Sequence, residues 1–306
     1  MQITSETANL VTPVAAPARP RWRGWTNYLY LVPIFLIVGG LIYYGIVYTF
    51  YVSVLDWNGM SATRTLVGLK HFLGIARDPI FWLTLRNTAI FGFLAIFIQM
   101  GVGLLMAVMM YAPVRFKALY KVIFFVPVVI SPAVTAYVFR RIYNANDGEL
   151  NLILQGIGLG GLQQSWLADP KIALFALTAI NIWQWTGLSF LMYYAGLTLI
   201  EDSYYEAARM DGANFLQLLW HITVPLVRPT SFALLILGVI GALKTFDIVF
   251  LVTGGGPGRS TEFLSTYIYK KAIQEFNAGY ASALSVVMLF VALLLTVIQL
   301  RAYRDQ

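Results

Sequence analysis

Glu201-Asp202-Ser203-Tyr204-Tyr205-Glu206-Ala207-Ala208-Arg209-Met210-Asp211-Gly212-Ala213, running on through Ile222-Thr223-Val224-Pro225 to Pro229, is a polar insert in a largely apolar chain. Glu201, Asp202, Glu206, Arg209, Asp211 and Arg228 are all charged, whereas the runs on either side are nearly free of charge. Apolar runs of about 20 residues cross a hydrocarbon core of about 30 Å as helices. They do so because backbone polar groups cannot stay unpaired in lipid. A polar insert between two such spans faces water or a partner. Ser203-x-x-Glu206 has the form of a capping box, which predicts a helix from about Tyr204. Ala207, Ala208 and Met210 are good helix formers. Gly212 permits a sharp turn. Phe215, Leu218, Leu219 and Ile222 then repeat at helical spacing, predicting a second helix from about Asn214 to Thr223 that ends at Pro225 and Pro229. The expected product is a helix–turn–helix hairpin across one mouth of a helical bundle. An amphipathic loop resting on lipid headgroups has the same spacing.

The 306 residues are 59% hydrophobic and 11% charged, against about 25% charged in soluble domains. Six spans are expected, near residues 29–54, 87–111, 118–139, 172–197, 230–252 and 281–302. The alternating segments of a membrane barrel are missing. The fold class is therefore an all-α integral membrane protein. Residues 1–28 read as a disordered tail ending in the basic Arg19, Arg21 and Arg23, and 29–306 as one six-span domain. The apolar run from Leu29 to Leu55 is too long for a signal peptide, and no small-residue cleavage site follows it. The chain has no cysteine, which excludes disulfides and thiolate chemistry. With only His71 and His221, no metal site is expected. The net charge of +7 fits topology signals and anionic headgroups better than nucleic acid.

Within the spans, Pro127 and Pro132 should bend the third, and Asn87 is expected to cap the second. Small residues in spans 2 and 5 (Gly101, Gly103, Ala107; Gly238, Gly241, Ala242) permit close helix approach. Lys and Arg divide evenly between the two sides, so position decides the orientation. Arg115, Lys117 and Lys121 crowd one short connection, and Arg301 and Arg304 end the last span. Both tails and the 201–229 loop are therefore expected in the cytoplasm.

Glu206-Ala207-Ala208, Asp211-Gly212-Ala213, Ile222 and Pro225 together resemble the "EAA" loop of permease subunits in ATP-binding-cassette importers, with Val224 where many members have Leu. The resemblance implies that the hairpin is a coupling helix docked on a cytoplasmic ATPase. Glu206 would then be the acidic contact, Ala207 and Ala208 would allow close packing, and Gly212 would form the turn. Asp211 would either cap the second helix or touch the ATPase. Lys244-Thr245-Phe246-Asp247, Thr253-Gly254-Gly255-Gly256-Pro257 and Ser260-Thr261-Glu262 are similar to the span 5 exit of carbohydrate permeases of the oligosaccharide, maltose and glycerol-phosphate class. The implied partners are a second, non-identical permease subunit, an ATPase dimer and an extracytoplasmic solute-binding protein, in a prokaryotic inner membrane. ATP and magnesium would bind the partner ATPase. The nearest thing here to a phosphate loop, Gly254–Thr261, lacks the lysine and places Pro257 where backbone donors are needed. No catalytic residue and no cofactor are expected on this chain.

A sugar needs directional hydrogen bonds to its hydroxyls and aromatic rings against its C–H faces. Amides inside a span are costly unless they face a cavity or a partner. Asn181, Gln184 and Trp185 in span 4, and Phe246 and Asp247 in span 5, are therefore candidates for the solute pathway, with Gln99 a weaker one. Interhelical hydrogen bonding is the alternative for the amides. An ion pair between Lys244 and Asp247 is the alternative for the acid. Other polar solutes, such as glycerol-phosphate-type molecules, are a second substrate class. A secondary transporter would favour inverted repeats and intramembrane acid or histidine relays. A membrane enzyme would show a His/Asp/Glu cluster at one face. Neither pattern is evident.

Overall fold

The structure, a computed structural model, describes residues 28–111 and 114–304. The expected basic tail with Arg19, Arg21 and Arg23 lies outside the described residues. The chain divides into two units, Met1–Tyr48 and Thr49–Gln306. The first holds most of helix α1 (Val32–Ser53). This helix carries no charge and widens into a π-helical turn at Val38–Tyr43, where the Gly39–Gly40 pair lowers the cost of the irregularity.

The second unit opens with a two-residue antiparallel pairing, β1 (Leu55–Asp56) with β2 (Thr65–Leu66). Helices follow: α2 (Lys70–Arg77), α3 (Pro79–Tyr111), α4 (Lys117–Val129), α5 (Pro132–Ile142), α6 (Glu149–Gly156) and α7 (Ala173–Leu197). Beyond them come α8 (Asp202–Met210), α9 (Phe215–Leu226), α10 (Arg228–Lys244), α11 (Asp247–Val252), α12 (Leu264–Tyr269) and α13 (Ala278–Arg304). Among the described residues, α1, α3, α7 and α13 are each long and apolar enough to cross a membrane. The total reaches six if two bent pairs, α4 with α5 at 94° and α9 with α10 at 65°, each count as one span.

The bend expected in the third span is present, and it is a break at Ile130–Ser131. Pro127 sits inside α4, while the Ser131 side chain accepts the Val134 N–H to start α5 with Pro132 in its first turn. The second span starts at Pro79, earlier than expected. The fifth is not one run over 230–252, because the helix opens at Thr245 and Phe246.

Helices α3, α7 and α10 meet through glycine. A Cβ on Gly103 would stand 2.7 Å from that of Ser189 and 2.8 Å from the Phe190 nitrogen. One on Gly238 would meet the Ile96 side chain at 2.7 Å. Gly101 and Gly241, expected at contacts, face open space instead. Lipid offers no hydrophobic drive between helices, so close packing carries the association.

Asn87 does not cap a helix. It is buried two turns inside α3, and its Nδ2 donates to the carbonyls of Glu262 at 3.2 Å and Arg259 at 3.3 Å. Thr88 Oγ1 accepts the Leu264 N–H at 3.3 Å. These bonds lock the 253–263 loop, whose Gly254, Gly255 and Gly258 have positive φ, onto the end of α3 away from the hairpin. Asn87→Leu strands both carbonyls. It should cost about 1–3 kcal/mol, read as a lower melting temperature of the purified protein.

Candidate functional site: a polar cavity and an exposed hairpin

A cavity of about 380 Å³ lies among α3, α7, α10 and α11, with Pro132 on its wall. Asn181, Gln184, Trp185, Phe246 and Asp247, named from sequence as pathway candidates, all line it, as do Gln99 and Lys244. Helical spacing explains part of this convergence: Asn181, Gln184, Trp185 and Leu188 fall on one side of α7. The rest follows from the opening of the fifth span. Thr245 (φ −59, ψ 115) and Phe246 (φ −129, ψ −53) leave helical geometry, and the Thr245 carbonyl accepts the Ser265 hydroxyl at 2.5 Å.

Two of the amides are already engaged. Gln184 is buried, and its Nε2 donates to the Ile130 carbonyl at 3.0 Å, holding the break between α4 and α5. Gln99 Nε2 donates to Asn181 Oδ1 at 2.9 Å and to the Asn181 carbonyl at 3.2 Å, tying α3 to α7. Asn181 keeps its own amide N–H groups as donors. Phe246 stacks on Phe250 with centroids 5.0 Å apart and meets Tyr269 at 5.3 Å. This forms an aromatic wall beside exposed Trp185. The possible Lys244–Asp247 ion pair is not formed. The i, i+3 spacing that would bring the two together does not survive the loss of helix between them. Both are exposed and, among the described residues, neither joins an ion pair. Together the cavity offers a cation, an anion, amides and aromatic faces, which is the chemistry of a polar, hydroxyl-rich solute.

The hairpin forms as α8, a turn at Gly212, and α9. Its caps differ from expectation. Glu201, with extended backbone, is the N-cap of α8. Ser203 therefore falls inside the first turn, and its hydroxyl goes to Glu201 Oε2 at 3.3 Å. The capping box belongs to the second helix, where Asn214 and Gln217 exchange side-chain and backbone bonds. That leaves Asp211 at the C-terminal end of α8 and not as the cap of α9. Gly212 has φ +81, with Gly212 N–H to the Arg209 carbonyl at 3.0 Å and Ala213 N–H to the Ala208 carbonyl at 2.9 Å. These paired bonds make a Schellman motif, which requires a left-handed residue at this position. Pro225 does not end the second helix. The chain runs through a π-helical turn, Leu219–Thr223, to Leu226 and bends at Val227. Pro229 lies in the first turn of α10.

Glu206, Ala207, Asp211 and Gly212 are exposed and Ala208 is half-buried. Met210, Phe215, Leu216 and Trp220 are exposed apolar residues on the same hairpin. Tyr111 donates to Asp202 Oδ1 at 2.8 Å, joining the hairpin to the end of α3. Nothing in the local sequence marks that bond, because its partners are separated by the whole of spans 3 and 4. At the other end of α3, Asp78 Oδ2 accepts the hydroxyls of Tyr267 at 2.5 Å and Tyr280 at 2.8 Å. Burial raises the Asp78 carboxyl, but these bonds and the Ile80 and Phe81 N–H groups outweigh it and hold the group below its ordinary value. Glu262 is fully buried, with Oε1 2.9 Å from Lys270 Nζ.

Residues 99–304 match the family model described as "binding-protein-dependent transport system inner membrane component". The chain is 36% identical over 281 residues to the probable ABC transporter permease protein YurN of Bacillus subtilis, covering 90% of this chain and 95% of that protein. It is 31% identical over 297 residues to the sulfoquinovosyl glycerol transport system permease protein SmoG of Agrobacterium fabrum, covering 94% and 95%. Its fold matches the crystal structure of a bacterial ABC transporter involved in the import of the acidic polysaccharide alginate. That match has a TM-score of 0.80 at 23% identity and covers 92% of this chain and 96% of that one. With a polar cavity among its spans and an exposed hairpin at one end, this chain belongs to the inner membrane permease components of binding-protein-dependent ABC transporters.

Proposed function

We propose that the chain forms half of the pathway of an ATP-driven importer, and that its cargo is a sugar or oligosaccharide handed over by an extracytoplasmic binding protein. The cavity is the observation that carries this reading: Asn181, Trp185, Phe246 and Asp247 face one space of about 380 Å³. Hydroxyls can pair with the amide and carboxylate, and C–H faces can lie against the rings. The relative that handles sulfoquinovosyl glycerol supports the class. The chain is a transport component and not an enzyme. ATP and magnesium would be held by an ATPase dimer on the cytoplasmic side, and a second, non-identical permease would complete the pathway.

In this reading six spans cross the membrane with both tails in the cytoplasm. The hairpin is the coupling helix: Glu206 is the acidic contact, Ala207 and Ala208 allow close approach, Gly212 makes the turn, and Asp211 faces the ATPase. ATPase closure would move the hairpin, and with it α10 through the Val227 bend and α3 through Tyr111.

The test is uptake of a sugar panel into vesicles carrying the assembled transporter and its binding protein. Phe246→Ala and Asp247→Ala should each reduce uptake of the cognate sugar by roughly 10- to 100-fold, about 1–3 kcal/mol of solute contact. Abundance should stay near normal, because Asp247 is exposed and Phe246 is only half-buried at the edge of the cavity. Unchanged uptake in both variants would remove the cavity from the pathway.

A further inference from the structure

At the end of the bundle away from the hairpin lies a surface that shares no lining residue with the polar cavity. Leu69, the N-cap of α2, and Leu73 within it are exposed, and a shallow hollow is lined by these two with Lys70, Gly74 and Arg77. Trp82 Nε1 donates to the Ala76 carbonyl at 3.0 Å, which fixes the first turn of α3 against the end of α2. Trp82, Arg86, Phe93 and Phe97 are all exposed and follow one another down a single stripe of α3. The Phe93 and Phe97 rings lie 4.7 Å apart.

Depth gives this stripe its meaning. The 33 residues of α3 span about 50 Å, roughly 20 Å more than a hydrocarbon core. No charged residue follows Arg86 before the helix ends at Tyr111, so Arg86 marks the hydrocarbon boundary. Trp82, one turn further out, stands at headgroup depth, where tryptophan is favoured. Phe93 and Phe97 lie below the boundary, at the depth of acyl chains. Among the described residues, Lys70, Arg77 and Arg86 make no ion pair. Asp78, the acid nearest to them in sequence, is occupied by Tyr267 and Tyr280.

We propose that α2 and the first turns of α3 form a binding site for an anionic phospholipid. Arg77 and Arg86, with Lys70, supply charge to the phosphate, which guanidinium groups match through paired N–H donors. Trp82 sits at the glycerol level, and the Phe93–Phe97 stripe lies along an acyl chain. Leu69 and Leu73 enter the interface as an amphipathic anchor. A soluble protein docked on this end would leave the phenylalanine stripe uncovered, because it lies below the headgroups. The lipid accounts for both the charges and the stripe.

The experiment is native mass spectrometry of the full chain purified in mild detergent, with phosphatidylglycerol or phosphatidylcholine added. Phosphatidylglycerol should be retained and phosphatidylcholine lost. The pair Arg77→Gln with Arg86→Gln should bind phosphatidylglycerol about 30-fold more weakly. The pair Arg77→Lys with Arg86→Lys keeps the charge and should retain most of the binding, which separates loss of a site from loss of fold. Equal retention of the two lipids by the wild type would overturn the proposal. So would a glutamine pair that binds like wild type, or a lysine pair as weak as the glutamine pair. If the glutamine pair instead loses the extracytoplasmic binding protein and keeps the lipid, the face is a protein dock and the lipid site is wrong.

Discussion

Replacing Gly212 by valine should leave the chain in the membrane at normal abundance and cut solute uptake about 100-fold, the scale on which small misplacements of a working element act. The backbone there has φ +81, and the Schellman bonds from Gly212 and Ala213 back to Arg209 and Ala208 depend on it. A β-branched residue in the left-handed region costs roughly 1–2 kcal/mol. That strain is too small to unfold the helical bundle. It is relieved by re-aiming α9 relative to α8, since neither helix of the hairpin is deeply buried. Beyond its chain neighbours, nothing lies within 4 Å of a Cβ placed on Gly212, so a loss of function is expected from the angle of the hairpin and not from a clash with another element. The discriminating readout is the ratio of uptake to ATP hydrolysis in vesicles holding the whole transporter. The ratio should collapse in Gly212→Val, while the nearby exposed substitution Gln217→Glu, which keeps an acceptor for the Asn214 N–H, should leave it unchanged. A Gly212→Val transporter with a normal ratio would refute the coupling role of the turn.

The contrast between these two positions also shows what the sequence could reveal. Gly212 was legible because a left-handed turn between two helical patterns demands a specific residue, wherever the hairpin sits. The capping box was not, because Ser203-x-x-Glu206 and Asn214-x-x-Gln217 both carry the pattern. The choice between them was made by how the chain leaves α7 through the turn at Thr198–Ile200, which puts Glu201 and not Ser203 at the first cap. The cavity was legible in its residues and obscure in its cause. Amides and rings in spans invite a polar space, but the opening at Thr245 and Phe246 has no glycine or proline to announce it. A hydroxyl from Ser265 stabilises it through the chain's tertiary fold. Asn87 reads as a cap for the same reason. Its partners, Arg259 and Glu262, are far away in sequence, and at short range an asparagine near an apolar run looks like a cap. Local rules reached what neighbours decide. They missed the bonds that close the bundle.

Gly187→Val should have the opposite profile to Gly212→Val, with the chain failing to accumulate. A Cβ on Gly187 would fall on the Phe124 carbonyl oxygen, 3.0 Å from its carbon and 3.2 Å from the Phe125 Cα. All three are backbone atoms, so no side chain can rotate aside and α4 itself must move. It is held on both sides of the contact. The Phe124 ring packs edge-on against Phe190 at 5.3 Å, and the Gln184 amide holds the Ile130 carbonyl at 3.0 Å. Pushing α4 outward breaks that hydrogen bond and leaves a buried amide unpaired beside the α4–α5 break. Overpacking costs about 1–3 kcal/mol and the stranded amide about 1–3 more. Together these approach the net stability of many domains. Gly187→Ala should already melt lower, and Gly187→Val should be degraded. Gly241→Ala is the control: nothing lies within 4 Å of its Cβ position, so its abundance should match the wild type. The measurement is membrane abundance by immunoblot with thermal melting of whatever can be purified. Wild-type abundance and melting in Gly187→Val would mean that the α4–α7 seam tolerates separation, and that packing at glycine is not what holds this bundle. The expected failure would place stability in the seams between α7 and its neighbours. The hairpin, bound to them through little more than Tyr111 and the Val227 bend, would then be free to move without unfolding the rest.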